Sequence, residues 1–360
     1  MKNLTINLNG FIQVNKIEII QSEQIDNINP IQSIQFKYKL PNKINHDINS
    51  LLDYYYYDNG FLHIKTTDIY TDLINKIQNT NHYVFIYKEK TSKFKQMIKN
   101  IFKTKTLTNS SLLPSTHLAA KEYQATEKQE STDLFKLYQS EIPSKNNLVE
   151  LDVVIVMNNT IELDNLNIQL NGFCCSHCLP IIQDNNNVNL NYDIKSIHHC
   201  NFINQKYEKF LNYNNIHVTY DGNGNIKFKN IHSNDFQFNI NGIGHFTIQD
   251  ITSDRIKIET NGTSNLTCKN IHTKEYSIYA NGIGNNTIKQ LTASKLQVEL
   301  CGIGNIIMEK VYSTESKISN ESFGKIKVLS GSLGLTNIER NNFFPDNIVL
   351  DKAVLFRNEK

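Results

Sequence analysis

The sequence predicts a mainly β protein: a parallel β-helix or β-solenoid of 20-residue coils at 149–357, preceded by a small mixed α/β region at 1–90 and a connecting segment at 91–148. Three observations carry this prediction. A glycine-bearing phrase returns without slippage every 20 residues, as Asp221-Gly222-Asn-Gly224, Asn241-Gly242-Ile-Gly244, Asn261-Gly262-Thr-Ser264, Asn281-Gly282-Ile-Gly284 and Cys301-Gly302-Ile-Gly304. Between phrases, apolar residues alternate with polar ones in two short runs. A third apolar position recurs at Ile231, Ile251, Ile271, Leu291 and Val311.

The first run is Ile226 and Phe228, repeated as Phe246 and Ile248, Leu266 and Cys268, and Ile306 and Met308. The second is Phe236, Phe238 and Ile240, repeated as Ile256 and Ile258, Tyr276 and Ile278, and Leu296, Val298 and Leu300. A period of two is the strand period. One such unit cannot bury its own apolar face, whereas units stacked at about 4.8 Å share one continuous core. The glycines suit a turn that needs positive φ or close backbone approach. Around them, Asn225, Asn265, Asn285 and Asn305 are placed to form an amide ladder, and Ile243, Ile283 and Ile303 to stack.

The register extends backwards. Ile216, Val218 and Tyr220 lead into Asp221-Gly222, and Leu166, Ile168 and Leu170 lead into Asn171-Gly172 in the same phase, so residues 173–215 read as an insertion between coils. Beyond Glu321 only Ile326 and Val328 keep the pattern, and the tail "NNFFPDNIVLDKAVLF" reads as a cap over the last open edge.

Residues 1–90 read as strands at 4–8, 11–20 and 31–40, a hairpin turning at Asp58-Asn59-Gly60, a helix at 68–78 and a returning strand at 82–88. Along Tyr54-Tyr55-Tyr56-Tyr57, strand alternation places two rings inside and two outside. At 92–105, Phe94, Met97, Ile98, Ile101 and Phe102 are surrounded by Lys93, Lys95, Lys99, Lys103 and Lys105. This is a basic amphipathic helix, expected to cap the solenoid with its lysines solvated in preference to peripheral membrane contact. A linker with one helix, at 117–138, follows.

The pattern Φ-x-Φ-x-Asn-Gly-Ile-Gly-x-Φ-x-Φ resembles the auto-transporter adhesin head GIN domain family over 149–327, most clearly over 216–320. The resemblance implies a right-handed parallel β-helix built of Gly-x-Gly coils, with adhesion or surface display as its role. It rests on a repeat and carries over no catalytic residue.

Segment 173–215 holds chemistry that the repeat does not. "FCCSHCLP" brings together Cys174, Cys175, His177 and Cys178, and His198, His199 and Cys200 follow. Two arms of thiolate and imidazole ligands can close a tetrahedral zinc site, so Cys175, Cys178, His198 and Cys200 are the candidate ligands of one structural zinc. The competing reading is reduced, partly buried thiols with surface histidines. A redox CxxC would need a βαβ unit that is missing around it. Cys268, in an inward column, and Cys301, in the Asn column, are assigned to packing.

Composition narrows the function. Net charge +2, from 37 basic and 35 acidic residues, supplies no global field for nucleic acid, and Lys227, Lys229, Lys257, Lys269, Lys289 and Lys295 are dispersed among acids. No nucleic-acid partner is expected. No window approaches the roughly 18 apolar residues of a membrane span, and the first residues alternate where an export signal would run apolar, so a cytoplasmic location is the default. "DGNGNIKF" fails as a calcium loop because Ile226 stands where Gly is required. A β-helix lyase or glycoside hydrolase needs clustered carboxylates, yet no acidic column recurs and the chain has only three arginines. That reading ranks second to a non-enzymatic, adhesin-like scaffold whose rigid face binds a protein or glycan surface. A groove lined by carboxylates would favour the enzyme, and a flat Asn/Thr/Lys face the scaffold.

Overall fold

The computed structural model describes residues 3–22, 31–40, 51–57, 60–70, 148–158, 162–177, 179–182, 188–196, 200–203, 213–340, 345–351 and 354–357. The N-terminal part contributes β1 (Asn3–Gly10), β2 (Ile12–Ser22), β3 (Ile31–Lys39), β4 (Leu52–Tyr57), β5 (Phe61–Thr66) and β6 (Val149–Asn158). Next come β7 (Asn165–Gly172), β8 (Cys175–Ser176), β9 (Ile181–Ile182), β10 (Asn189–Ser196), β11 (Cys200–Ile203), β12 (Tyr213–Tyr220), β13 (Ile226–Lys229) and β14 (Ile231–Ile240). Four long strands follow, β15 (Ile243–Thr260), β16 (Thr263–Ala280), β17 (Ile283–Leu300) and β18 (Ile303–Asn320). The chain ends with β19 (Ile326–Val328), β20 (Gly331–Gly334), β21 (Thr336–Arg340), β22 (Ile348–Leu350) and β23 (Val354–Arg357).

The repeat becomes a parallel β-solenoid. β14 to β18 pair in register, so that Phe236 meets Ile256, Ile256 meets Tyr276, Tyr276 meets Leu296, and Phe246 meets Leu266. Like positions therefore stack into columns, and every inward column is buried: Phe238, Ile258, Ile278, Val298 and Ile318 are at most 1% exposed. The aromatic part of the core lies in the earlier coils, where Phe238 packs 5.2 Å from Phe228 and 5.7 Å from Phe246, ring centre to ring centre. The Asn ladder forms as expected. The side-chain oxygens of Asn225, Asn265, Asn285 and Asn305 accept the backbone N–H of His245, Asn285, Asn305 and Lys325 respectively, each 20 residues ahead.

Both turn glycines stand where successive coils touch, and the second also adopts positive φ. A Cβ on Gly282 would lie 2.1 Å from the Gly262 carbonyl oxygen, and one on Gly262 would lie 2.0 Å from that of Gly242, so the first glycine is needed because successive coils touch there. The second glycine meets the same contact and a backbone angle besides: Gly284 has φ +139°, and a Cβ there would lie 1.8 Å from the Ser264 carbonyl oxygen. Ser264 takes that same register position, and among the described residues the only positive φ outside glycine is at Asn230.

Three boundaries differ from the sequence expectation. Segment 173–215 is not an insertion leaving the rod: its strand β10 pairs with β7 on one side and β12 on the other, adding a coil whose spacings are 24 and 26 residues. The N-terminal region keeps its strands and begins a helix at 68–70, but its first strand belongs to the solenoid. β1 lies between β5 and β7, with Leu4, Ile6 and Leu8 in register with Leu166, Ile168 and Leu170. β2 likewise packs between β6 and the short β8 and β9. The ladder's N-terminal end carries the antiparallel strands β4, on β5, and β3, on β6. At the other end, the tail expected as a foreign cap adds parallel rungs, β22 on β19 and β23 on β20.

The β4–β5 hairpin forms, but Tyr54 and Tyr55 are both exposed, at 58% and 38%. Tyr55 stacks 4.9 Å from His63 and Tyr54 leans on Phe36. These partners on neighbouring strands give both rings a packed face without burial. The expected basic helix at 92–105, the helix at 117–138 and the strand at 82–88 lie outside the described residues.

Candidate binding face

Outward columns set the surface chemistry. One column alternates in sign along the rod, Asp235, Arg255, Glu275, Lys295 and Glu315, each in register with the next. Arg255 reaches Asp235 at 2.9 Å and Lys295 reaches Glu275 at 3.5 Å. Stacked at about 4.8 Å, like charges would repel, so alternation turns a liability into cross-rung pairs. A groove of about 650 Å³ runs beside this column. Its carboxylates are interleaved with cations, and Asp235 and Glu275 each face a cation of the next rung.

A second groove of about 570 Å³ follows the bend near position 253 of each coil. Its floor is a column of small, buried side chains, among them Ser253, Thr273, Ala293 and Ser313. The floor hydroxyls are committed to the fold: Ser253 donates to the Arg255 carbonyl, and Thr273 contacts the Asp254 and Glu275 carbonyls. One flank presents His232, Thr252, His272, Thr292 and Tyr312 on successive rungs. The other includes Asp254 and Lys274, paired with each other at 2.9 Å. Small residues at the bend let the chain turn sharply, and the neighbouring outward side chains rise on either side of the hollow.

At the coil turn, Ile283 and Ile303 stack in register but stand 54% and 65% exposed, followed by Phe323 at 78%. On the earlier coils, amide ladders cover the flat face: Asn165 donates to Asn3, Asn189 to Asn165, and Asn191 to Asn167.

The sequence-predicted zinc ligands are only partly placed. Cys178 and His198 lie outside the described residues. Cys200 is fully buried in the inward column ahead of Ile226 and Phe246, and burial pushes its thiol up to about 11. Cys175, also buried, has its Sγ 3.8 Å from Nε2 of His177. A zinc on Cys175, Cys178, His198 and Cys200 stands as a proposal, and the inward, fully buried position of Cys200 counts against its membership. Cys268 sits between Ile248 and Ile288 in the core, its thiol pushed up to about 12 by burial, and Cys301 stands in the Asn column beside Glu299. Among the described residues, no helix is long and apolar enough to cross a membrane.

The stacked coils, each turning on a glycine that admits its neighbour's carbonyl, define a repeat β-solenoid. Residues 139–331, more than half of the chain, match the family model described as "Putative auto-transporter adhesin, head GIN domain", and the chain belongs to that family. No curated protein and no solved structure matches it.

Sequence reasoning missed both grooves. Their flanking residues change type from rung to rung, so no single recurring residue announces them. The signals were the small residue at 233, 253, 273, 293 and 313 for one groove and the alternating charge at 235, 255, 275, 295 and 315 for the other.

Proposed function

We propose that this protein is a non-enzymatic, adhesin-like scaffold that holds a macromolecular surface against the outer face of its solenoid. The observation that carries the reading is the unbroken in-register stack from β14 to β18, which repeats polar surface columns at fixed spacing on an inflexible rod. The family's description as an adhesin head supports the same role, and supports a place at a cell surface over the cytoplasm expected from the first residues. Against enzymatic work stands the pairing of the groove acids: Asp235, Asp254 and Glu275 each meet a cation of the next rung.

The test is binding of the labelled full chain to fixed cells and to immobilised polysaccharides, with release of reducing ends assayed in parallel. Saturable retention without new reducing ends is the expected result. Turnover of any polysaccharide, or no retention on any surface, overturns the reading.

A further inference from the structure

Resting on that surface-binding reading, the groove along the 253 bend deepens it by pointing to a ligand class. We propose that the groove lined by His232, Thr252, His272, Thr292 and Tyr312 binds a neutral glycan chain lying parallel to the solenoid axis.

Spacing is the first argument. Each rung advances the groove by about 4.8 Å, close to the length of one pyranose along an extended chain, so sugar after sugar meets the same pair of flanking columns. An extended peptide shows like-facing side chains every ~6.7 Å and falls out of step within two rungs. Five rungs from Ser233 to Ser313 span four intervals, about 19 Å, enough for about four rings.

Chemistry is the second. Each rung offers the groove an imidazole, a threonine hydroxyl or a phenol, groups suited to the donor and acceptor mixture of a polyol. The charged pair Asp254 and Lys274 is already mutually satisfied at 2.9 Å, so these two side chains give the groove no net charge with which to prefer an acidic or basic polymer.

The ends are the third. At the N-terminal end the floor column is stopped by Tyr213, which is in register with Ser233, buried, and hydrogen-bonded through its hydroxyl to the Pro180 carbonyl. At the other end stands Tyr312, with the Lys310 ammonium 5.6 Å from its ring centre. Its partly exposed ring provides the flat surface on which the C–H face of a sugar packs. The floor then closes at Leu333, which follows Ser313 in register and is fully buried.

The experiment is calorimetric titration of the full chain with neutral hexasaccharides of glucose, of mannose and of N-acetylglucosamine, with hexagalacturonate as the acidic control. Shorter members of any series that binds are then compared. Affinity is expected to rise with length to four rings and then level. Thr252→Trp, which fills the groove from an exposed position, should weaken binding at least tenfold, whereas Gln297→Trp in the other groove leaves it unchanged; wild-type urea midpoints confirm that both variants fold. Failure of all three neutral series to bind, preference for hexagalacturonate, or indifference to Thr252→Trp overturns the groove assignment. The broader reading survives such a failure if the chain still binds cell surfaces saturably, and falls with it if it does not.

Discussion

Replacing Gly282 by alanine should open the solenoid at one rung. The new Cβ would sit 2.1 Å from the Gly262 carbonyl oxygen, where about 3.2 Å is needed, so the two turns must part by roughly 1 Å. Two backbone hydrogen bonds cross that contact, from Gly282 N–H to the Thr260 carbonyl at 2.7 Å and from Ile283 N–H to the Gly262 carbonyl at 2.9 Å. Stretching both beyond bonding distance costs about 1 kcal/mol each, and more if water cannot reach the freed groups, for a total of about 2–4 kcal/mol. Urea denaturation followed by circular dichroism reads the sum. Hydrogen exchange at the 282 and 283 amides locates it, because repeat arrays open locally before they unfold globally. Gly284→Ala should cost at least as much, since its Cβ would lie 1.8 Å from the Ser264 carbonyl oxygen and its φ is +139°. A Gly282→Ala variant within about 0.5 kcal/mol of wild type, or a Gly284→Ala variant that costs less than it, would refute the close-contact explanation.

Other outcomes follow from the same stacking. Arg255→Glu places three acids on consecutive rungs with Asp235 and Glu275, and should lower stability by about 1 kcal/mol at low salt, shrinking in 1 M salt. His63 is fully buried, and burial first, then Lys65, depresses its pKa from 6.5 to about 4. The unfolded chain therefore binds the extra proton between those values. Stability should be flat above pH 6.5 and fall by at most about 3 kcal/mol toward pH 4, a slope that His63→Phe removes in pH-dependent melts. Cys200 and Cys268, held as thiols by burial, should resist a small disulfide reagent at pH 8 until the coils open, with Cys301 reacting first among the described cysteines. Elemental analysis should show the same metal content in Cys200→Val as in wild type; a loss of zinc would restore Cys200 to the ligand set.

The coils from Asp221 to Asn320 were legible because parallel in-register stacking makes one position see only its own equivalents, so a column's chemistry is written 20 residues apart. β10 escaped because its neighbours are 24 and 26 residues away and it carries Lys195-Ser196 where other coils carry Asn-Gly. β1 was readable in principle: "NLTINLNGF" at 3–11 and "NLNIQLNGF" at 165–173 are nearly the same phrase, but a fixed period cannot connect stretches so far apart. The zinc set was legible only as spacing. Spacing does not say that Cys200 faces inward, in the column continued by Ile226 and Phe246.

The intercalation of β1 sets an order of events for the chain. The side-chain hydrogen bond from Asn165 to Asn3 joins residues 162 apart, so β1, flanked on one side by β5, gains its second neighbour only after β7 has been synthesised. Until then its apolar face, Leu4, Ile6 and Leu8, has half its eventual lining, and β7, lacking β1, offers an open edge. Trimming the first ten residues would thus take a rung from inside the ladder, leaving β5 and β7 with no strand between them.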